Sequence, residues 1–414
     1  LSKINIMRLL ANSVYTNIRY SNQKVDASTD KVSVRDRQRL ELCLSVARPL
    51  SMYDNLHATE LNITAANLAQ RYGSEADRIL VEVGAAVFGT YNHGSKRIRS
   101  EVALQDLLPR AIATGDLKVI GDVWAGIAFS QALAMRWSSV AASVDACVHH
   151  YKQLSEPLTL EVCHLGSVNL LAHWHVGRWT QLMKSCDQML DDFKQRNDQF
   201  QWIIASSGCG ASTWLMRDQV VDSELVRQKN AEKLAACDGA QLFDFLEWTA
   251  QIHLDLYKGH YDQAWQRIQE LRGSRTNLSV SMLQSNRVML EQFVALVALH
   301  RLKKDPAGDW GRFVESAIRH LHREHSAFAK TAAHFYEGLL LHLKASSTSE
   351  FADARKQLVI AWEMSKEQRL RPYQLAAEDV IATIDNGESP CRLIARMERH
   401  GVVDPLRFSR LYTI

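Results

Sequence analysis

Aromatic residues recur along this sequence at a near-constant interval, and that interval constrains the fold more than any other feature. Trp137, Trp179 and Tyr261 each follow a polar or glycine-containing turn: Arg136-Trp137-Ser138, Gly177-Arg178-Trp179 and Gly259-His260-Tyr261. The first gap is 42 residues and the second is 82, twice 41. After each marker, apolar residues return at three- and four-residue steps: Val144 and Val148; Cys186, Met189 and Leu190; Trp265 and Ile268. That is helical spacing. The interval predicts a degenerate unit near Val220, opened by Arg217-Asp218-Gln219. Trp310 and Phe351 are again 41 apart, and backward steps reach Lys96 and Tyr53-Asp54-Asn55. One insertion, Lys303-Lys304-Asp305-Pro306-Ala307-Gly308, lengthens a single loop.

Between markers lies a second helical stretch: 117–133, 158–176, 200–216, 240–257, 278–302, 328–343 and 373–384. Asp, Ser, Thr and Asn upstream suit N-caps, and Pro157 and Pro372 suit a helix start. Only 7 of 414 residues are Pro, where average usage would give about 20. Because Pro breaks helix interiors, its scarcity favours a helical chain. The unit is then a helix–turn–helix whose apolar face only a neighbouring unit can cover. The expected fold is all-α, a right-handed α-solenoid of about eight TPR-like hairpins with a period of about 41 residues. Residues 41–384 form the array, 1–40 its N-terminal helix and loop, and 385–414 a C-terminal loop and capping helix. Segments 22–38 and 385–390 read as loops, and Leu1–Tyr20 as an amphipathic helix at a truncated start of the array.

The net charge of +3 demands neither nucleic acid nor membrane as partner. The longest apolar run, near Phe293–Leu299, is too short to span a bilayer, and no signal-peptide pattern is present. Seven scattered Cys, at 43, 147, 163, 186, 209, 237 and 391, never in CxxC spacing, read as reduced thiols of a cytoplasmic protein.

Candidate chemistry is sparse. Gly89-Thr90-Tyr91-Asn92-His93-Gly94-Ser95-Lys96 approaches a P-loop, but Ser precedes Lys and no strand precedes the loop, so an inter-helix turn is expected. His320, His322 and His325 form the densest His cluster; His322 and His325 are three apart, yet HExxH is absent and no partner cluster is evident. His149-His150 and His173-Trp174-His175 read as turn-packing or surface residues, since neighbours on one helix face different ways. Ser206-Ser207-Gly208-Cys209-Gly210 lacks the GxSxG pattern and reads as small residues within a helix at a close helix–helix approach. Arg392, Arg396, Arg399, Arg407 and Arg410 read as a solvated basic face. No catalytic residue, cofactor or metal site is assigned. Asn169, Glu247, Gln251 and Asn286 are the candidate partner-binding residues on the concave face of the array.

The run from Ala250 to Gly259, followed by Ala264-Trp265 and Leu271-Arg272, resembles a segment of large bacterial signalling proteins of planctomycete and myxobacterial type. Cys43–Ser51, Arg178–Asp198 and the ending Gly401-Val402-Val403-Asp404-Pro405-Leu406-Arg407 fit the same pattern in order. Those proteins join a serine/threonine kinase and an AAA-type predicted ATPase to a long TPR-like C-terminal region. The resemblance implies that this chain corresponds to the helical region alone. It would then be a non-catalytic scaffold for a protein or peptide, or for other domains of its parent, in a regulatory or sensor role. The His-Arg-Asp, Asp-Phe-Gly and Walker A signatures are absent. A second reading is the ligand-sensing solenoid of a STAND-type transcriptional regulator.

Overall fold

The computed structural model describes residues 33–50, 55–90, 95–155, 159–235, 241–273, 283–388 and 390–414. Among them every regular element is a helix and no strand occurs. In chain order these are α1 (Val34–Leu50), α2 (Asn55–Tyr72), α3 (Glu75–Gly89), α4 (Ser95–Thr114), α5 (Leu117–Leu133), α6 (Trp137–Tyr151) and α7 (Thr159–Val176). Next come α8 (Trp179–Gln195), α9 (Gln199–Ser206), α10 (Ser212–Met216), α11 (Val220–Ala235), α12 (Gln241–Lys258), α13 (Tyr261–Gly273) and α14 (Gln284–Lys304). The last are α15 (Trp310–Arg323), α16 (Ala327–Lys344), α17 (Thr348–Glu367), α18 (Arg371–Asn386), α19 (Arg392–Arg399) and α20 (Pro405–Ser409).

The chain forms two compact units. The first takes in the described residues up to Ser130 and those between Ser143 and Val162. Within it α1 packs on α2, α2 on α3 and α3 on α4. Ile79 and Val83 of α3 meet Leu104, Leu107 and Ala111 of α4 and Val119, Val123 and Ile127 of α5 in one buried cluster. A capping box starts α3: Ser74 Oγ accepts the Asp77 N–H, and the Asp77 carboxylate accepts the Ser74 N–H at 2.8 Å. In the same unit the wholly buried Asp122 carboxylate accepts from the Tyr151 hydroxyl and from Lys118 Nζ, both at 2.6 Å.

The second unit comprises Gln131–Ala142 and the described residues from Cys163 to Ile414. Residues 385–414 thus belong to the same compact body as the helices before them. Two kinds of helix alternate. α13 buries Ala264, Ile268 and Leu271, and α15 buries Val314, Ala317, Ile318 and Leu321, each along one stripe. α14 and α16 are instead buried nearly all round, α14 through every residue from Gln292 to His300. The buried helices touch their next-but-one neighbours, α14 with α16 and α16 with α18, while the striped helices pack between them in sequence.

The turns before four of the marker helices share one shape. Met135, Gly177, Asp218 and Gly259 all have positive φ, and each sits two residues before Trp137, Trp179, Val220 or Tyr261. The next residue's N–H reaches back five positions: Arg136 to Gln131, Arg178 to His173, Gln219 to Trp214 and His260 to Asp255, at 2.8–2.9 Å. This Schellman geometry satisfies the last carbonyls of the preceding helix and demands the left-handed region. Arg369, exposed at φ 59, makes the same turn before α18. Arg369→Gly should therefore raise stability by about 1 kcal/mol, because the left-handed region penalises a side chain. Urea unfolding midpoints check this; an unchanged or lower midpoint would rule out strain at the turn.

The structure corrects three boundaries. Residues 34–38 are helical, not loop, because Ser33 Oγ accepts the Asp36 N–H and caps α1. Helix α18 runs on to Asn386, where Gly387 at φ 78 ends it. The expected helix over 200–216 is broken into α9 and α10. There Gly208 has φ 52 and donates its N–H to Leu246 O at 2.9 Å, leaving the helical ladder. A Cβ on Gly210 would collide with Ala205 O, so the backbone folds tightly where only glycine fits. The expected helix Leu1–Tyr20 and the Tyr53-Asp54 marker lie outside the described residues, as does Cys237.

Candidate functional site

The side chains of greatest chemical interest converge within the second unit, where the C-terminal segment lies against several earlier turns and helices. Asp379 starts this arrangement: its carboxylate accepts the N–H groups of Arg392 (2.8 Å) and Leu393 (3.0 Å), capping α19 from another helix. The Val403 N–H then donates to Met216 O at 2.8 Å. Arg407 Nη1 donates to Asp218 Oδ1 at 2.9 Å, and its guanidinium lies 4.4 Å from the Tyr257 ring centre. Arg410 Nη1 donates to Tyr257 O at 3.0 Å, while its own carbonyl lies 3.2 Å from His300 Nε2. Tyr412 closes the segment. Its hydroxyl accepts the Trp179 indole N–H at 2.9 Å, and its ring stacks on Trp174 at 4.7 Å between centres.

Behind this segment the imidazoles are dry. His175 stacks on Trp137 at 4.5 Å, and His300 on Tyr261 at 4.5 Å. His253 lies against Trp174, with Nδ1 3.2 Å from Ser212 Oγ. Burial lowers His175 and His253 to about 3 and His300 to about 4, so all three are neutral near pH 7. The Arg410 carbonyl can only accept, so the neutral His300 carries its proton on Nε2.

A cavity of about 30 Å³ opens among Trp174, His253, Gln292, Tyr336, Tyr373 and Tyr412. That is room for about one water, far below the roughly 300 Å³ at which small-molecule sites begin. Cys209 also lines it, but burial pushes its thiol far up, opposite to what a nucleophilic thiolate requires.

A second polar cluster surrounds the break between α9 and α10. Arg227 and Glu247 are both almost fully buried and meet at 2.6 Å. Arg227 also donates to the Ser206 carbonyl, which the break removes from the helical ladder. Glu247 Oε2 accepts from Ser207 Oγ (3.0 Å) and Asn230 Nδ2 (3.2 Å). Burial pushes the Glu247 carboxyl up and Arg227 down, while each opposes the other's shift.

The four partner-binding candidates differ in burial and in what they bond to. Glu247 is engaged as above and buried. Gln251 is half-buried, donating to Glu247 Oε1 at 3.5 Å and accepting from Arg267 Nη1 at 2.6 Å. Asn286 is buried on α14; Asn169 is half-buried on α7, and its Oδ1 has no hydrogen-bond partner among the described residues. Neither asparagine bonds to Glu247 or Gln251. The C-terminal arginines divide in the same way. Arg392, Arg396 and Arg399 stay exposed or half-buried, whereas Arg407 and Arg410 turn inward to Asp218 and Tyr257. In the sequence these five make one basic run, and only the fold separates them.

Gly89 ends α3 and Ser95 starts α4, so the P-loop-like stretch bridges two helices; 91–94 lie outside the described residues. His175 is a core residue, and His149 and His150 meet edge to face. His322, which has no evident partner in the sequence, lies beside His334 and Glu337. Of the described cysteines, Cys43, Cys147, Cys163, Cys186 and Cys209 are buried and Cys391 is exposed. No described helix is long and apolar enough to cross a membrane. No family model matches this chain, and no curated protein matches it either.

Proposed function

We propose that this chain is a non-catalytic helical-repeat module, a right-handed α-solenoid of TPR-like hairpins that binds a protein, a peptide or another domain of its own parent. The parent would be a cytoplasmic kinase–ATPase signalling protein, in which this region serves a regulatory or sensor role. The observation that carries the reading is the C-terminal segment. Residues 392–414 are held by turns and helices far earlier in the chain, through Met216, Asp218, Tyr257, His300 and Trp179. These positions already hold an extended stretch of the chain's own sequence through backbone carbonyls, aromatic rings and the carboxylates of Asp218 and Asp379, which supports peptide holding as a capacity of such a stack.

Two further features support a repeating stack. The same left-handed turn recurs at 135, 177, 218 and 259, and the buried helices pack on their next-but-one neighbours. The cavity beside the C-terminal segment holds about one water, too little for a metabolite at that place. Hydrogen exchange on the full chain, with and without neighbouring domains encoded in the same reading frame, tests the proposal. Slower exchange over a contiguous group of helices is expected with at least one such domain. Unchanged exchange with every one of them would defeat the interdomain reading.

A further inference from the structure

We infer that His322, His334 and Glu337 form a binding site for one divalent transition ion of the zinc class, where α16 packs against α15. His322 lies in the last turn of α15. His334 and Glu337 are three residues apart on α16, which stacks them on one face of that helix. One ligand atom from each of the three lies within 4.8 Å of the others. One pair, His322 Nε2 and Glu337 Oε2, is 3.6 Å apart. A tetrahedral zinc with bonds near 2.0–2.1 Å holds its ligands roughly 3.3 Å apart. That pair is already close to the required spacing, and the third ligand needs a shift of about 1.5 Å, within reach of a side-chain rotation. His322 and Glu337 are about one-third exposed, so an ion can enter from solvent and keep a water on its open side.

The surrounding residues fit the same assignment. His334 Nδ1 lies 2.8 Å from Gln357 Oε1 on α17. With the amide oxygen accepting, the proton sits on Nδ1 and the lone pair on Nε2 is left for an ion. Outer hydrogen bonds of this kind fix the tautomer and orientation of metal-binding imidazoles. Two imidazoles and one carboxylate suit zinc, cobalt or nickel, whereas calcium and magnesium prefer all-oxygen sets. A plain surface ion pair would need neither the second imidazole nor its oriented partner. Bound there, the ion would join three successive helices, two by direct ligation and the third through Gln357.

The chain has 16 His, so the test is a difference measurement on the full chain. Zinc binding is followed by equilibrium dialysis, and cobalt binding by visible absorption. The wild-type protein is expected to bind one more ion per chain than His322→Gln/His334→Gln, and Glu337→Gln should weaken that same ion. Gln357→Leu should keep the stoichiometry but lower the affinity about 10- to 100-fold. If the double variant fails to fold, Glu337→Gln and Gln357→Leu carry the same comparison. Wild-type stoichiometry and affinity in the folded variants would overturn the assignment.

Discussion

At pH 5 the protein is expected to be less stable than at pH 7 by about 6 kcal/mol, through His175, His253 and His300 together. Burial lowers these imidazoles to about 3, 3 and 4 in the fold, below an unfolded value near 6.5. Between those limits the unfolded chain binds protons that the folded chain refuses. The stabilisation is complete above about pH 6.5 and is lost as the pH falls toward the folded values, at about 1.4 kcal/mol per imidazole per pH unit. Glu247 and Asp255, raised by burial, act in the opposite sense. Urea unfolding at pH 7, 6 and 5 measures the slope, and His300→Gln should reduce it by about one proton. A flat profile over that range would show that these rings charge freely in the folded state.

The second large effect lies at the helix break. Arg227→Met and Glu247→Leu should each destabilise the protein by about 3–5 kcal/mol, because each leaves a buried charge without its counter-ion. Arg227→Met also strips the Ser206 carbonyl of its donor. The two changes together should cost less than their sum, since the removed charges no longer need each other. Ser207 and Asn230 would still be left underbonded, so recovery should be partial. Midpoints from denaturant unfolding of the four proteins give the coupling. Single losses below about 1 kcal/mol would mark a solvated pair.

The helices were readable in the sequence because their signals are local. Residues 117–133 are helical to the residue, and 158–176 and 328–343 to within one, because a turn residue and a run of three- and four-residue spacing mark each. The helix that starts at Val220 was readable from spacing alone, although Asp218 stands where Gly177 and Gly259 stand elsewhere. The break at Ser207–Ala211 was not. Small residues permit both a close helix crossing and a chain reversal, and what selects the reversal is Arg227 and Glu247, 20 and 40 residues downstream of Ser207. The convergence of the C-terminal segment was equally hidden. Arg407 and Arg410 differ from Arg396 and Arg399 only in the carbonyl and carboxylate that the fold brings to them. His322 and His334 lie on separate helices, so no spacing rule joins them.

The distance along the chain between Trp179 and Tyr412 bears on how the protein is made. The two partners are 233 residues apart. At translation rates of about 5–20 residues per second, between about 10 and 50 s pass before the indole meets its phenol. For that interval Trp174 and Trp179 present uncovered rings on a nascent polypeptide, a sticky surface at the ribosome exit.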